Sequence, residues 1–289
     1  MRAYTTSFFL ASRFLPRRAR HEVELIYAAV RYPDEIVDTF PWTPDQKRDA
    51  LEAWRSDYAR AMSCADEREA LRAGVPPWLA GFLGVSRRRA IPDEHYHDFI
   101  TAMERDIEPP HYETMDELIR NYVHGSAIVV GYFLAHVYGA RSPEVWPHVL
   151  ESARELGIGL QLTNFARDVA EDGRRHRLYI PLSMLREAGG DPERPFDAAG
   201  APALEQAARA LARSAEECYA RAERGVDAFA ADCRSAIRSC IGVYRALNGQ
   251  ILAPGWTPAR RASAPLRDKW RILPPSKYWR IPLARLPGW

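Results

Sequence analysis

Apolar residues recur along this chain at steps of three and four, the period of an α-helix, and alternating strand-like patterns are nearly absent. The periodicity predicts helices over about 17–40, 45–63, 66–73, 92–106, 114–139, 143–176, 202–231 and 234–252. Pro41-Trp42-Thr43-Pro44, Gly74 to Pro77, Pro109-Pro110, Gly139 to Pro143, Gly189 to Pro195 and Pro254-Gly255 break them apart. Thr43-Pro44 and Ser142-Pro143 each place a capping hydroxyl ahead of a proline suited to the first helical turn. The breakers are short and evenly spread, so one all-α domain over 1–289 is expected rather than two joined by a linker. Ile128 to Tyr138 is mostly apolar all round, which places that helix in the middle of a bundle. Gly125, Ser126 and Ala127 beside it would let helices approach closely or leave room for a ligand. Close packing is the simpler reading.

Two apolar stripes run directly into acidic residues. Val23, Ile26, Tyr27 and Val30 lead onto Asp34, and then to Val37 and Asp38. Leu160 leads by steps of four onto Asn164, Asp168 and Asp172. Residues four apart share a helix face, so these oxygens sit at positions the pattern assigns to the interior. Buried carboxylates repel one another and cost several kcal/mol each unless paired or bound to metal. Ligands that are all oxygen favour a hard cation such as Mg²⁺, which substrate phosphates commonly complete. A single D-x-x-x-D is usually a solvated acidic face, but two on inward faces of separate helices do not fit that reading. Arg31, Arg167, Arg174, Arg175 and Arg177 stand nearby, and the guanidinium fork suits phosphate. Some of them are expected to pair with the acids or to lie on the surface.

Bulk properties narrow the class. Of 289 residues, 47% are hydrophobic and 27% charged, as in soluble globular proteins. A net charge of +2 gives no global field suited to nucleic acid. Cys64, Cys218, Cys233 and Cys240 form no C-x-x-C pair and read as reduced thiols of a cytosolic protein. Cys233 and Cys240 would stand about 10 Å apart along a helix, too far to bridge. There is no apolar signal core at the N-terminus, and no run of ~18 apolar residues that would span a membrane. The tail over 265–289 interleaves Arg267, Lys269, Arg271, Lys277, Arg280 and Arg285 with Trp270, Tyr278, Trp279, Trp289 and four prolines. Packing along the bundle is expected for it; peripheral contact with membrane headgroups is the alternative.

Longer motifs carry a resemblance. The opening Thr5-Thr6-Ser7-Phe8-Phe9-Leu10-Ala11-Ser12, then Leu15-Pro16-Arg17-Arg18, is similar to the S-x-S-F…LP start of the squalene/phytoene synthases, which join prenyl diphosphates head to head. Tyr27 to Asp38, YAAVRYPDEIVD, resembles that family's Y-A-x-x-R-x-x-D-D-I-V-D. Gln161 to Pro181, QLTNFARDVAEDGRRHRLYIP, resembles its long second signature. Glu35 departs from the usual second Asp of the first motif. In the central Y-C-Y-x-V-A-G pattern, His124 stands where an aromatic hydroxyl steers the carbocation, but a lone histidine in an apolar helix reads first as a hydrogen-bonded core residue and only second as a catalyst. The Gly125-Ser126-Ala127 variant is like that of some bacterial phytoene synthases.

The resemblance implies a helical bundle of the isoprenoid synthase type with a central cavity. It implies two or three Mg²⁺ ions on Asp34, Asp38, Asn164, Asp168 and Asp172, with the four aspartates central to catalysis. Thr5, Ser7, Arg31, Gln161, Tyr244, Arg261 and Lys269 would contact diphosphate or line the site. The activity expected is Mg²⁺-dependent coupling of two geranylgeranyl diphosphates to phytoene through a cyclopropyl diphosphate, without NADPH. C30 coupling of farnesyl diphosphate is the alternative, and a catalytically dead relative acting as a binding protein is a third.

Overall fold

The computed structural model describes residues 11–278. Among these the chain forms helices and loops, and its one β feature is an isolated bridge between Ala140 and Phe229. The helices are α1 (Arg17–Asp38), α2 (Pro44–Ser63), α3 (Glu67–Arg72), α4 (Pro77–Arg89), α5 (Asp93–Ile107) and α6 (Met115–Leu118). A π-helical segment, Ile119–Ile128, then runs straight into α7 (Val129–Tyr138). After these come α8 (Trp146–Arg174), α9 (Leu182–Glu187), α10 (Ala201–Gly225), α11 (Ala231–Leu252) and α12 (Leu266–Ile272).

Local chemistry sets the boundaries. Thr43 Oγ1 accepts from the Gln46 amide and Gln46 Oε1 accepts from the Thr43 amide, a reciprocal cap on α2. The α8 helix ends where His176 enters the left-handed region at φ 57°. The chain turns back there, and the Arg177 amide donates to the Asp172 carbonyl at 2.9 Å. That reversal aims Arg177 and Tyr179 toward the end of α8 that carries the acids.

The periodicity missed α4. Its sequence, PWLAGFLGVSRRR, opens on a proline pair that reads as a breaker, and two glycines interrupt a nearly all-apolar run. Pro77 is in fact at the first turn, where its missing N–H costs nothing. The helix expected over 202–231 stops at Gly225, a short 3₁₀ turn follows, and α11 begins at Ala231. The helix expected over 114–139 contains the π segment, a rare form that recurs at functional sites.

The small residues of that segment serve both ends offered for them: Gly125 lets helices pack closely, while Ser126 and Ala127 line an internal cavity. A Cβ on Gly125 would lie 2.4 Å from the Asp98 carbonyl of α5, and one on Gly157 would lie 3.0 Å from the Ala127 carbonyl. Two hydrophobic clusters flank the centre. One gathers α8, α10 and α11; the other gathers α1, α2, α4 and α5. Tyr132 and Tyr138 of α7 pack against both, so α7 lies between them. At the far end of the chain, Ile272 of α12 seats against Gly242 of α11.

Candidate active site

The two acidic stripes face one chamber. Asp34 and Asp38 from α1 and Asn164, Asp168 and Asp172 from α8 line it together. Asp106 from α5, Arg177 and Tyr179 from the turn after α8, and Arg261 and Lys269 after α11 complete its wall. A second cavity, of about 270 Å³, adjoins it and is walled by apolar side chains from α1, the π segment, α7, α8 and α11. Arg31, Asp34, Gln161, Asn164 and Tyr244 line both spaces. From that junction the apolar wall follows α8 back through Leu160, Gly157 and Leu156 to Ala153. At helical rise this is about 16 Å. Tyr138 and Phe229 line the same cavity, with their rings 6.3 Å apart. Thr5 and Ser7, expected at this site, lie outside the described residues.

Arginines occupy most of the carboxylates. Arg31 bonds both Asp34 and Glu35. Arg177 Nη1 lies 2.7 Å from Asp38 Oδ1. Asp168 receives Arg167 and, at 2.8 Å, Arg261 Nε. Burial, then the negative charge of Asp38, pushes the Asp34 carboxyl up to about 7 against the pull of Arg31. Burial, then Asp168 one turn earlier, pushes Asp172 up to about 7 as well, and Arg177 opposes this. Burial works on Asp168 in the same direction, yet Arg167 and Arg261 prevail and hold it below the usual carboxylate range. Among the described residues Asp172 has no ion pair within 4.0 Å.

The donor set suits a hard divalent cation. Every candidate ligand supplies oxygen, and Asn164 Oδ1 is buried with no hydrogen-bond partner. An orphaned amide oxygen and, two turns further along α8, an unpaired carboxylate leave acceptors for a cation to satisfy. Among the described residues no three His, Cys, Asp or Glu side chains already close around one point. The arginine pairings account for this, because each guanidinium draws its carboxylate toward itself. A divalent cation held by these oxygens would compete with the arginines for them.

His124 takes the hydrogen-bonded, non-catalytic reading, though not in the core, and Asp106 joins the site without a motif to announce it. His124 lines neither cavity: its Nε2 lies 3.1 Å from Asp98 Oδ2 of α5, and both side chains are more than two-fifths exposed. The π segment turns it outward, and Tyr122 faces the chamber instead. Tyr122 stacks on Tyr179 at 5.1 Å, and Tyr179 on Phe165 at 4.5 Å. Asp106 was not anticipated at all. It is 5% exposed, accepts from the Tyr179 hydroxyl and adjoins Arg177. Its only sequence signal is an acid on the inward face of α5, in line with Phe99, Ala102 and Met103.

An all-α bundle enclosing an apolar cavity beneath an acid- and arginine-lined mouth defines an isoprenoid-synthase-type protein. The family model described as squalene/phytoene synthase matches residues 1–270, and the chain belongs to that family. It is 30% identical to a 15-cis-phytoene synthase of Paracoccus sp., covering 98% of this chain and 90% of that one. It is 31% identical to a presqualene diphosphate synthase of Zymomonas mobilis, covering 90% and 84% respectively. Its fold matches the crystal structure of a dehydrosqualene synthase in complex with ligand, at a TM-score of 0.78 and 22% identity, over 94% of this chain and 90% of that chain. No helix among the described residues is long and apolar enough to cross a membrane.

Proposed function

We propose that this chain couples two allylic prenyl diphosphates head to head, most simply two C20 diphosphates to phytoene. One observation carries the reading: a charged chamber opens onto an apolar cavity through Arg31, Asp34, Gln161, Asn164 and Tyr244. A molecule with an anionic head and a long hydrocarbon tail matches that division.

Asp34, Asp38, Asn164, Asp168 and Asp172 would hold Mg²⁺, which when bound supplies positive charge to the diphosphate leaving group. Arg31, Arg261 and Lys269 bind diphosphate oxygens and orient the head at the junction. Lys269 is partly buried, and burial lowers its pKa. Tyr244 is buried at the junction, and burial raises its pKa, so it presents a neutral hydroxyl there. Leu134, Leu156, Leu160 and Phe229 exclude water from the cavity, which protects an allylic cation from capture as an alcohol. Attack by the double bond of the second substrate, with loss of a proton, would close a cyclopropane that keeps the second diphosphate; departure of that diphosphate, rearrangement and loss of a second proton would give a C40 hydrocarbon with a central conjugated triene, without a reductant.

The similarity to a presqualene diphosphate synthase supports a second reading, coupling of C15 diphosphates. Incubation of the protein with Mg²⁺ and either C15 or C20 diphosphate, followed by pyrophosphate assay and mass spectrometry, separates the two. A C40 hydrocarbon from the C20 substrate is expected. Pyrophosphate release only with the C15 substrate would move the assignment to C30 coupling, and no release with either would refute both.

A further inference from the structure

We propose that Asp106 is a positioning residue of the diphosphate chamber: as the permanent counter-ion of Arg177 it leaves Asp38 free to turn toward incoming cations. The inference rests on the coupling reading above and deepens it.

Arg177 is shared between two carboxylates of unlike exposure. Its Nη1 lies 2.7 Å from Asp38 Oδ1 and 3.6 Å from Asp106 Oδ2, and its Nη2 donates to the Asp106 carbonyl at 3.0 Å. The Asp38 side chain is 34% exposed, that of Asp106 only 7%. Asp106 is also tied down from its other side, because the Tyr179 hydroxyl donates to Oδ1. Tyr179 is in turn fixed by its stacking on Phe165 and Tyr122. Asp106 therefore cannot leave Arg177, whereas Asp38, on the open side, can.

Charge accounting gives the arrangement its purpose. A guanidinium that is 10% exposed is strongly destabilised when its only counter-ion departs. Were Asp38 the sole partner, drawing it to a cation would strand Arg177. Asp106 meets Arg177 from the buried side, through its carboxylate at 3.6 Å and its carbonyl at 3.0 Å, while Asp38 meets it from the open side. With Asp106 in place, Asp38 changes partners and the buried pair stays neutral. Without it, Arg177 holds Asp38 fast and competes with the metal.

The test is a binding cycle on the full chain, free of turnover, using Mg²⁺ with inorganic pyrophosphate as probe and isothermal titration as readout. Asp106→Asn is expected to weaken probe binding roughly tenfold, the scale for partners that orient metal ligands. Asp38→Asn is expected to weaken it as well, and the double variant to be no weaker than Asp38→Asn alone. Wild-type affinity in Asp106→Asn, or an undiminished tenfold loss when it is added to Asp38→Asn, would overturn the assignment. A side chain that only supported the fold would give that second, additive result. Should Asp106→Asn not fold, Asp106→Asn with Arg177→Gln removes both charges and is expected to fold; a double variant that stays unfolded refutes the counter-ion role. Absence of turnover by the wild type with C15 and C20 diphosphates would overturn the coupling reading alone, since the binding cycle does not depend on it.

Discussion

Arg261 and Asp168 meet across the mouth of the polar chamber, Nε to Oδ1 at 2.8 Å, although they stand 93 positions apart in the chain. The contact brings the loop between α11 and α12 over the end of α8. Arg261 is 63% exposed, so the pair adds little to stability. Its value lies in holding a guanidinium where a diphosphate would arrive. Arg261→Ala is expected to shift unfolding stability by less than about 0.5 kcal/mol. The same change is expected to lower kcat/KM about tenfold, the equivalent of one charge-assisted hydrogen bond. Thermal melts and steady-state kinetics check the two halves separately, and unchanged kcat/KM would remove Arg261 from the site.

Asp172 offers a test of metal loading that needs no substrate. It is crowded by Asp168 and has no ion pair among the described residues, so its charge strains the metal-free protein. Asp172→Asn keeps the shape and removes that charge. At pH 8 without metal the variant is expected to melt a few degrees higher than wild type, at ~2–4 °C per kcal/mol for a chain of this size. Adding Mg²⁺ and pyrophosphate should then raise the wild-type midpoint and leave the variant nearly unmoved. A variant that melts lower and still responds fully to the metal would show that Asp172 is neither strained nor a ligand.

Most of this architecture was readable because helical period and acid spacing are local properties. Asp34 and Asp38, and Asn164, Asp168 and Asp172, follow from steps of four on single helices, and the structure brings both sets to one chamber. Asp106 was invisible for the opposite reason. It is one acid on α5, and what makes it matter is its approach to Arg177 and Tyr179, more than seventy positions away. The placing of His124 was hidden for a third reason: it is hydrogen-bonded, as a non-catalytic histidine would be, but to Asp98 at the surface and not in the core. Its orientation depends on the π segment, whose extra residue per turn rotates side chains away from where an α-helix would put them. The α4 helix was lost to its proline pair, which reads as a stop before it reads as a start.

The cysteines give a pH-dependent prediction. Burial pushes the Cys218, Cys233 and Cys240 thiols up to about 12, and Cys64 is buried too. At pH 8 only about one part in ten thousand of such a thiol is ionised, and the thiolate is the reactive form. In native protein these three should react with a thiol reagent only as fast as the chain opens, and all four should react at once in denaturant. The raised values also fix the sign of a stability change. Unfolded thiols ionise near 9 while the folded ones stay protonated, so their contribution holds below pH 9 and is lost as pH rises toward 12. Fast stoichiometric labelling of native protein at pH 8 would contradict the burial.

The last prediction concerns the scaffold behind the junction. Tyr219 of α10 donates to the Gly159 carbonyl at 2.7 Å, and Thr163 Oγ1 lies 2.7 Å from the same hydroxyl. Asn248 of α11 joins from the other side, its Nδ2 donating to the Ala212 carbonyl at 2.8 Å. All three side chains are fully buried, so this polar knot ties α8, α10 and α11 together one turn behind Asn164. The Tyr219 ring also presses on Gly159, where a Cβ would lie 2.8 Å from it. Tyr219→Phe keeps the ring and removes the hydroxyl. It is expected to cost about 1–3 kcal/mol, because a buried donor and acceptor lose their partner. Ring packing is retained, so kcat/KM should change less than about threefold. Tyr278→Phe, at a ring 69% exposed, is the control and should leave the melting temperature unchanged. Equal melting temperatures for Tyr219→Phe and wild type would show that the knot contributes nothing. A large fall in kcat/KM with little loss of stability would mean that the hydroxyl reaches the reaction through α8, and that the scaffold and the site are not separable there.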